Sequence, residues 1–382
     1  MFDSEFPLIQ ILNQLPDERQ LAKVHHPIAS IVFIAIVCSV AGADDWESME
    51  IYAEEHLEWF KRFISLPYGI PSHDTIERLF KSLNPKIFLQ RFMEWTQLVS
   101  DFMEGGIVAI DGKTMCGSHD KAVGKKALHI VSAWFSETGL SLGQVKTSEK
   151  SNEITAIPEL LAILDITGQI VTIDSMGTQK VIAEKIIEKN GDYVLALKGN
   201  HPLLYEEVVQ FFEPIQDGKF REEYEIISHV EKDQGHGRIE KREYYITSKI
   251  GWMDARKDWR NLTSIGLVIY NREENGEHKT EKRYYLCSIN NKAQQFARAA
   301  RRHWGIESMH WSLDTTFNED AKRVRKDNGP ENLALLHKFA FNLLKMDTSL
   351  KKSLKKKRFM ASFNLKYLEN VLRNTKKENS QD

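Results

Sequence analysis

Asp111 and Asp174 each close a short apolar run, IVAID at 107–111 and QIVTID at 169–174, and each opens a turn-like segment, IDGK and IDSMGTQ. In an open α/β sheet, ligand sites lie beyond the carboxyl ends of the strands. Two aspartates on adjacent strands repel unless a cation lies between them. Hard divalent ions such as Mg²⁺ take oxygen ligands of this kind. Capping of the following turn explains either aspartate alone, but the paired occurrence favours a site. Glu307 in RRHWGIESMHW is the best third acid, with Asp314, Glu319 and Asp320 as rivals. Helical spacing places Ala300, His303, Glu307, His310 and Trp311 along one face. Such a cluster suits phosphodiester chemistry: two metal ions about 4 Å apart activate the attacking oxygen and stabilise the leaving one. No activated Ser or Cys is required.

Basic side chains flank these acids. Lys113 follows Asp111 by two residues, and Lys198 ends the apolar run in LALKGNHP. A lysine at a strand edge can meet a phosphate as a point charge. His236, Arg238 and Arg242 alternate in GHGRIEKREY; they suit a DNA backbone, and exposed strand polarity explains them equally well. No P-loop, GxGxxG, HExxH or zinc spacing is present. The three cysteines, Cys38, Cys116 and Cys287, are scattered and odd in number, which points to a reducing compartment.

Positioning these groups takes more than one unit, since 382 residues suggest about two to three domains. Residues 4–104 read as helices, with Ser72 as an N-cap and Gly105-Gly106 as the boundary. Apolar runs at 107–111, 127–135, 140–147, 169–174 and 192–197 then read as strands. Helices are expected from about 151 to 164, over 178–190 and over 202–212. That order predicts a mixed five-stranded sheet with helices on both faces. Residues 218–290 are β-rich and are expected to form an inserted subdomain. Helical periodicity returns at 292–313 and 332–344.

Charge and hydropathy narrow the class. Residues 1–110 hold 16 acidic and 8 basic side chains, whereas 345–382 hold 11 basic and 4 acidic. An acidic head and a basic tail suggest nucleic acid near the C-terminus. The apolar run 28–43 is 16 residues long, short of the ~20 a spanning helix needs, so it reads as a buried helix. The first twenty residues lack a basic n-region, so no signal peptide is expected.

These residues resemble the insertion-sequence DDE transposases, and among them the H-repeat-associated group. VAIDGKTMCGSHD is similar to that family's first-aspartate segment. VTIDSMGTQKVIAEKI and DYVLALKGNHPLLYEEV resemble its second-aspartate segment and the strand–helix that follows. RRHWGIESMHWSLDTTFNEDAKRVRKDNGPENLALLHKFAFNLLK resembles its glutamate helix. The resemblance implies Asp111, Asp174 and Glu307 as the metal-binding triad, with Mg²⁺ as cofactor and Mn²⁺ able to substitute. It implies a ribonuclease-H-like α/β fold of mixed sheet and flanking helices with a β-rich insertion, preceded by an all-helical N-terminal domain. The expected divisions are 1–104, 105–345 and a basic tail, 346–382. The wider superfamily's tyrosine, arginine and lysine slots hold Ala300, His303 and Asp314 here. His303, Arg301, Arg302, Lys322, Arg323 and Arg325 are then the groups available to grip DNA, with Lys113, Lys198, His236 and Arg238. The implied activity is cutting and joining of the element's ends, by a cytoplasmic protein acting as a homodimer on double-stranded DNA. A nuclease without strand joining and an inactive DNA-binding remnant are the alternatives.

Overall fold

The computed structural model describes residues 6–17, 19, 24–100, 103–119, 124, 126–147, 153–216, 222–235 and 238–373. Among the described residues every regular element before Gly105 is a helix: α1 (Pro7–Leu12), α2 (Ile28–Val40), α3 (Trp46–Glu55), α4 (Leu57–Phe60), α5 (His73–Ser82) and α6 (Pro85–Val99). Ser72 caps α5 by accepting the Thr75 N–H. The apolar run becomes α2, in which every side chain except Ala29 is buried. Among the described residues no helix is long and apolar enough to cross a membrane.

The sheet holds β1 (Ile107–Met115), β2 (Leu128–Phe135), β3 (Leu140–Lys146), β4 (Ile170–Ile173) and β5 (Asp192–Leu197). It continues through β6 (Ile227–Gly235), β7 (Arg238–Thr247), β8 (Ser264–Glu274) and β9 (Glu277–Cys287). Strand order is β3-β2-β1-β4-β5-β9-β8-β7-β6. β4 pairs in parallel with β1 and β5, and the remaining pairs are antiparallel. The expected inserted subdomain therefore does not stand apart. β9 lies antiparallel against β5, from Val194↔Cys287 to Leu197↔Tyr284, and carries β8, β7 and β6 outward on the same sheet. An open strand edge invites such extension, because its N–H and C=O groups need partners.

Helices cover both faces. The helices α7 (Glu153–Ile163), α8 (Lys180–Glu188) and α9 (Pro202–Gln216) share an apolar core with Val108 and Ile110 of β1. The alternate β1 residues, Ile107 and Ala109, face α10 (Ala293–Arg302), α11 (Gly305–Phe317) and α12 (Gly329–Met346). The N-terminal helices share one core with α11, α12, α13 (Leu354–Phe363) and α14 (Leu365–Arg373). Packing thus runs across the expected boundary at Gly105-Gly106.

Three expectations change in detail. β1 does not stop at Asp111 but runs to Met115, because β2 pairs with it as far as Met115↔Leu128. The helix expected over 292–313 breaks between Arg302 and Gly305. Gly305 lies against Trp134, whose Nε1 would sit 2.7 Å from an added Cβ, so α11 starts afresh on the indole. The basic tail is folded through Arg373. Lys357 caps the C-terminal end of α12, donating to the carbonyls of Leu344 (2.9 Å) and Asp347. Arg358 donates to Ser39 O (2.8 Å) and to the Asp44 carboxylate.

Candidate active site

β1 and β4 run side by side until Ile110↔Ile173, their last paired positions. Asp111 and Asp174 are the next residues, and here the strands part: β4 ends while β1 continues with β2. Both side chains line a cavity of about 500 Å³. Glu307 lines it from the first turn of α11, where the positive end of a helix favours a carboxylate. His303, at the break before α11, adds a ring whose Nδ1 lies 3.0 Å from Thr172 Oγ1. The loop after β4 is shaped by Asp174, whose Oδ1 accepts the N–H groups of Met176 (3.0 Å) and Gly177 (3.2 Å).

The charges in this cavity are strained against one another. Burial pushes the Asp174 carboxyl above its ordinary pKa, and the charges of Glu153 and Asp111 add to the rise against the Gly177 N–H. Burial and the Asp111 charge push Glu307 up as well, with Arg283 and His310 opposing. Burial holds the His303 imidazole below its usual value, although Asp111 and Asp174 pull the other way. Asp174 and Glu307 thus sit where their negative charge is costly without a cation. Among the described residues, no group of three or more His, Cys, Asp or Glu side chains is drawn closely enough together to hold an ion as it stands. The donor chemistry still fits a hard divalent ion: of the four carboxylates lining the cavity, Glu281 is paired with Lys279 and Arg283, which leaves Asp111, Asp174 and Glu307, and no thiol is among them.

Two residues given no role by sequence reasoning, His310 and Arg283, oppose the repulsion among the acids, and two more, Glu153 and His129, pair over β1 beside Asp111. His310, one helical turn beyond Glu307, sets Nδ1 3.5 Å from Asp111 Oδ2. Arg283 of β9 lies over the Trp304 ring, 4.2 Å from its centroid, and lines the cavity. Glu153 Oε1 lies 2.7 Å from His129 Nε2, and His129 Nδ1 lies 2.8 Å from Thr114 Oγ1. This pair closes over β1 at Gly112, where any Cβ would overlap both side chains. Only the spacing of His310 from Glu307 could have marked any of them in advance.

The remaining site candidates divide. Lys198 lines the cavity with its side chain exposed. Arg301 opens on an adjoining groove with Arg242, Arg283 and Trp304. Arg302 is tied to Glu137 at 2.5 Å. Lys113 is not free to serve as the expected phosphate contact: Asp314 (2.6 Å), Glu319 (2.8 Å) and Asp320 (3.3 Å) enclose it. Burial works against its charge, but Glu319 and Asp314 push its pKa up overall. The three rival third ligands are therefore the acids that hold Lys113. Lys322 is half-buried near Asp44 and Asp45, its pKa lowered by burial, while Arg323 is exposed and lines no part of the cavity. Arg238 pairs with Glu240 at 2.7 Å on β7, and His236 lies outside the described residues.

Comparison with known proteins places the chain in a family. Residues 9–96 match the DDE_Tnp_1-associated family, and residues 103–343 match the transposase DDE domain. The chain is 40% identical over 370 residues to "Putative transposase YncI" of Escherichia coli O157:H7, covering 96% of this chain and 94% of that one. It is 36% identical over 371 residues to "H repeat-associated putative transposase YhhI" of Escherichia coli K12, covering 96% and 97%. Among solved structures it is similar to a piggyBac transposase synaptic complex with hairpin DNA, at 11% identity and a TM-score of 0.43, over 99% of this chain and 79% of that one; so slight a likeness carries no weight. The family match spans all nine strands, both aspartates and α11, and on it the chain belongs to the DDE transposase family, within its H-repeat-associated group.

Proposed function

We propose that the chain is a DNA transposase that cuts and joins the ends of its own insertion-sequence element, with Asp111, Asp174 and Glu307 holding divalent ions. Mg²⁺ is the natural cofactor, and Mn²⁺ substitutes. The observation that carries this reading is the convergence of the three acids, from β1, β4 and α11, on one cavity. We read strands β1–β5, in the order β3-β2-β1-β4-β5, as a ribonuclease-H-like core within 105–345, and 1–104 as its associated helical domain.

Strand cleavage puts a water oxygen onto phosphorus and releases a 3′-hydroxyl. Joining uses that hydroxyl as the attacking group on target DNA, and a target 3′-oxygen leaves. Bound ions supply activation of the attacking oxygen and stabilisation of the departing one. The chain's own groups do the rest. His310 orients Asp111, and the Met176 and Gly177 N–H groups fix Asp174. Lys198, just past the end of β5, and Arg283, on the neighbouring β9, meet the nonbridging oxygens of the bound strand. Two protomers bring two ends together, since joining acts on both ends of the element.

The test is a duplex carrying the element's terminal inverted repeats, incubated with Mg²⁺, Mn²⁺ or EDTA and a target plasmid. Metal-dependent nicking followed by joined product is expected. Nicking without joining would establish the nuclease instead, and no nicking with either metal would overturn the reading.

A further inference from the structure

The run Lys351 to Arg358 splits into two kinds of residue. Lys357 and Arg358 are buried and committed to internal partners: the end of α12, Asp347 at 3.6 Å, and Ser39 with Asp44. Lys351, Lys352, Lys355 and Lys356 are exposed, and none has an acidic partner among the described residues. Lys351, Lys352 and Lys356 line an open depression of about 600 Å³ together with Ser353 at the start of α13. Asp347, also on its lining, is turned to internal use by Tyr367 Oη (2.6 Å), Ser349 and Lys357.

Two further features indicate what this surface meets. Ser353 makes no side-chain cap to α13, so the positive end of that helix adds to the lysine charge. Phe359 and Phe363 stand one and two turns beyond Lys355, exposed at 69% and 61%, with ring centroids 5.1 Å apart. Free phosphate has no use for apolar rings, whereas a nucleic acid offers sugars and base edges beside its phosphates. The surface is also anchored to the active-site helix: Arg358 donates to Thr316 O and lies over Phe317, 4.2 Å from its centroid, both on α11.

We propose that Lys351, Lys352, Lys355 and Lys356 form a docking surface for the phosphate backbone of duplex DNA, held at fixed distance from the cavity by Arg358. This rests on the transposase reading only for the identity of the partner. The binding is sequence-independent, so it sets where the duplex lies rather than which duplex is chosen.

The experiment neutralises those four lysines to Gln in the full-length protein, leaving Lys357 and Arg358 intact because their loss would break the fold. Binding of a random-sequence 30-bp duplex is followed by fluorescence anisotropy over a salt series. The log–log slope should become shallower by about 0.9 for each phosphate no longer neutralised, roughly 2–4 in all. A control variant with Lys61, Lys86, Lys185 and Lys257 changed to Gln should keep the wild-type slope. Phosphatidylserine vesicles should compete weakly for the wild-type protein. An unchanged slope in the quadruple variant, an equal change in the control, or tighter capture by the vesicles than by the duplex would overturn the proposal. The nicking assay is separate, so failure here leaves the transposase reading standing, and failure there leaves the salt slope to be judged by itself.

Discussion

Lys113 Nζ lies 2.8 Å from Glu319 Oε2, and Glu319 is only 3% exposed, so a lysine two residues from Asp111 neutralises a carboxylate buried beneath α12. Burial would raise the Glu319 carboxyl, but His337, Lys113 and Lys338 together hold it down to about 2. Breaking one side of a buried pair typically costs about 3–5 kcal/mol, because the other charge is left uncompensated. Lys113→Met should therefore lose about that much stability in urea unfolding. A stability within about 1 kcal/mol of wild type would return Lys113 to the expected phosphate-binding role.

Gly112→Ala tests the pair above β1. The added methyl would overlap Glu153 and His129, so one or both must shift beside Asp111. Nicking should fall about tenfold or more, with a smaller loss in melting temperature than Lys113→Met produces. Unchanged nicking would show that the pair does not bear on the site.

Lys338 gives a pH signature. It is 2% exposed, and its Nζ donates to Ser132 Oγ (2.7 Å) and Gln144 Oε1 (2.6 Å), with no carboxylate in direct contact among the described residues. Burial lowers its pKa to about 7, against the attraction of Glu319 and alongside the repulsion of Lys113. Between about 7 and the ordinary lysine value near 10.4, the unfolded chain holds a proton that the folded one has released. Stability from this group should therefore rise with pH across that window, by at most about 1.4 kcal/mol per unit. Urea unfolding of wild type and Lys338→Met at pH 7, 8 and 9 checks it: the variant should show the flatter profile.

Much of this was legible beforehand, for reasons tied to particular residues. IVAID and QIVTID are short apolar runs ending in acids, and both aspartates emerged where the strands part. The β-rich stretch expected over 218–290 holds β6 to β9. Their merger with β5 was not legible, since pairing between distant strands leaves no local mark. The break before Gly305 was hidden for a similar reason: it depends on Trp134, 171 positions earlier in the chain. Lys357 and Arg358 read as tail because charge is usually solvated, and their acceptors, backbone carbonyls with the Asp347 and Asp44 carboxylates, are brought to them only by the fold.

The acids themselves give opposite effects on stability and activity. Asp174 and Glu307 have raised pKa values, so their ionised forms weaken the metal-free fold as pH rises through those values. Asp174→Asn and Glu307→Gln should raise the melting temperature in EDTA at pH 7. Nicking should fall roughly 10²–10³-fold, as expected for several kcal/mol of lost charge stabilisation. A lowered melting temperature in both variants would argue for a structural role.

The most direct measurement is Mn²⁺ binding, read as loss of the free-ion signal by electron paramagnetic resonance with the protein on a duplex end. Wild type should bind Mn²⁺, and Asp111→Asn, Asp174→Asn and Glu307→Gln should each weaken binding by about tenfold or more, about 1.4 kcal/mol apiece. Wild-type affinity in all three variants would contradict the assignment of these carboxylates as the metal-holding set.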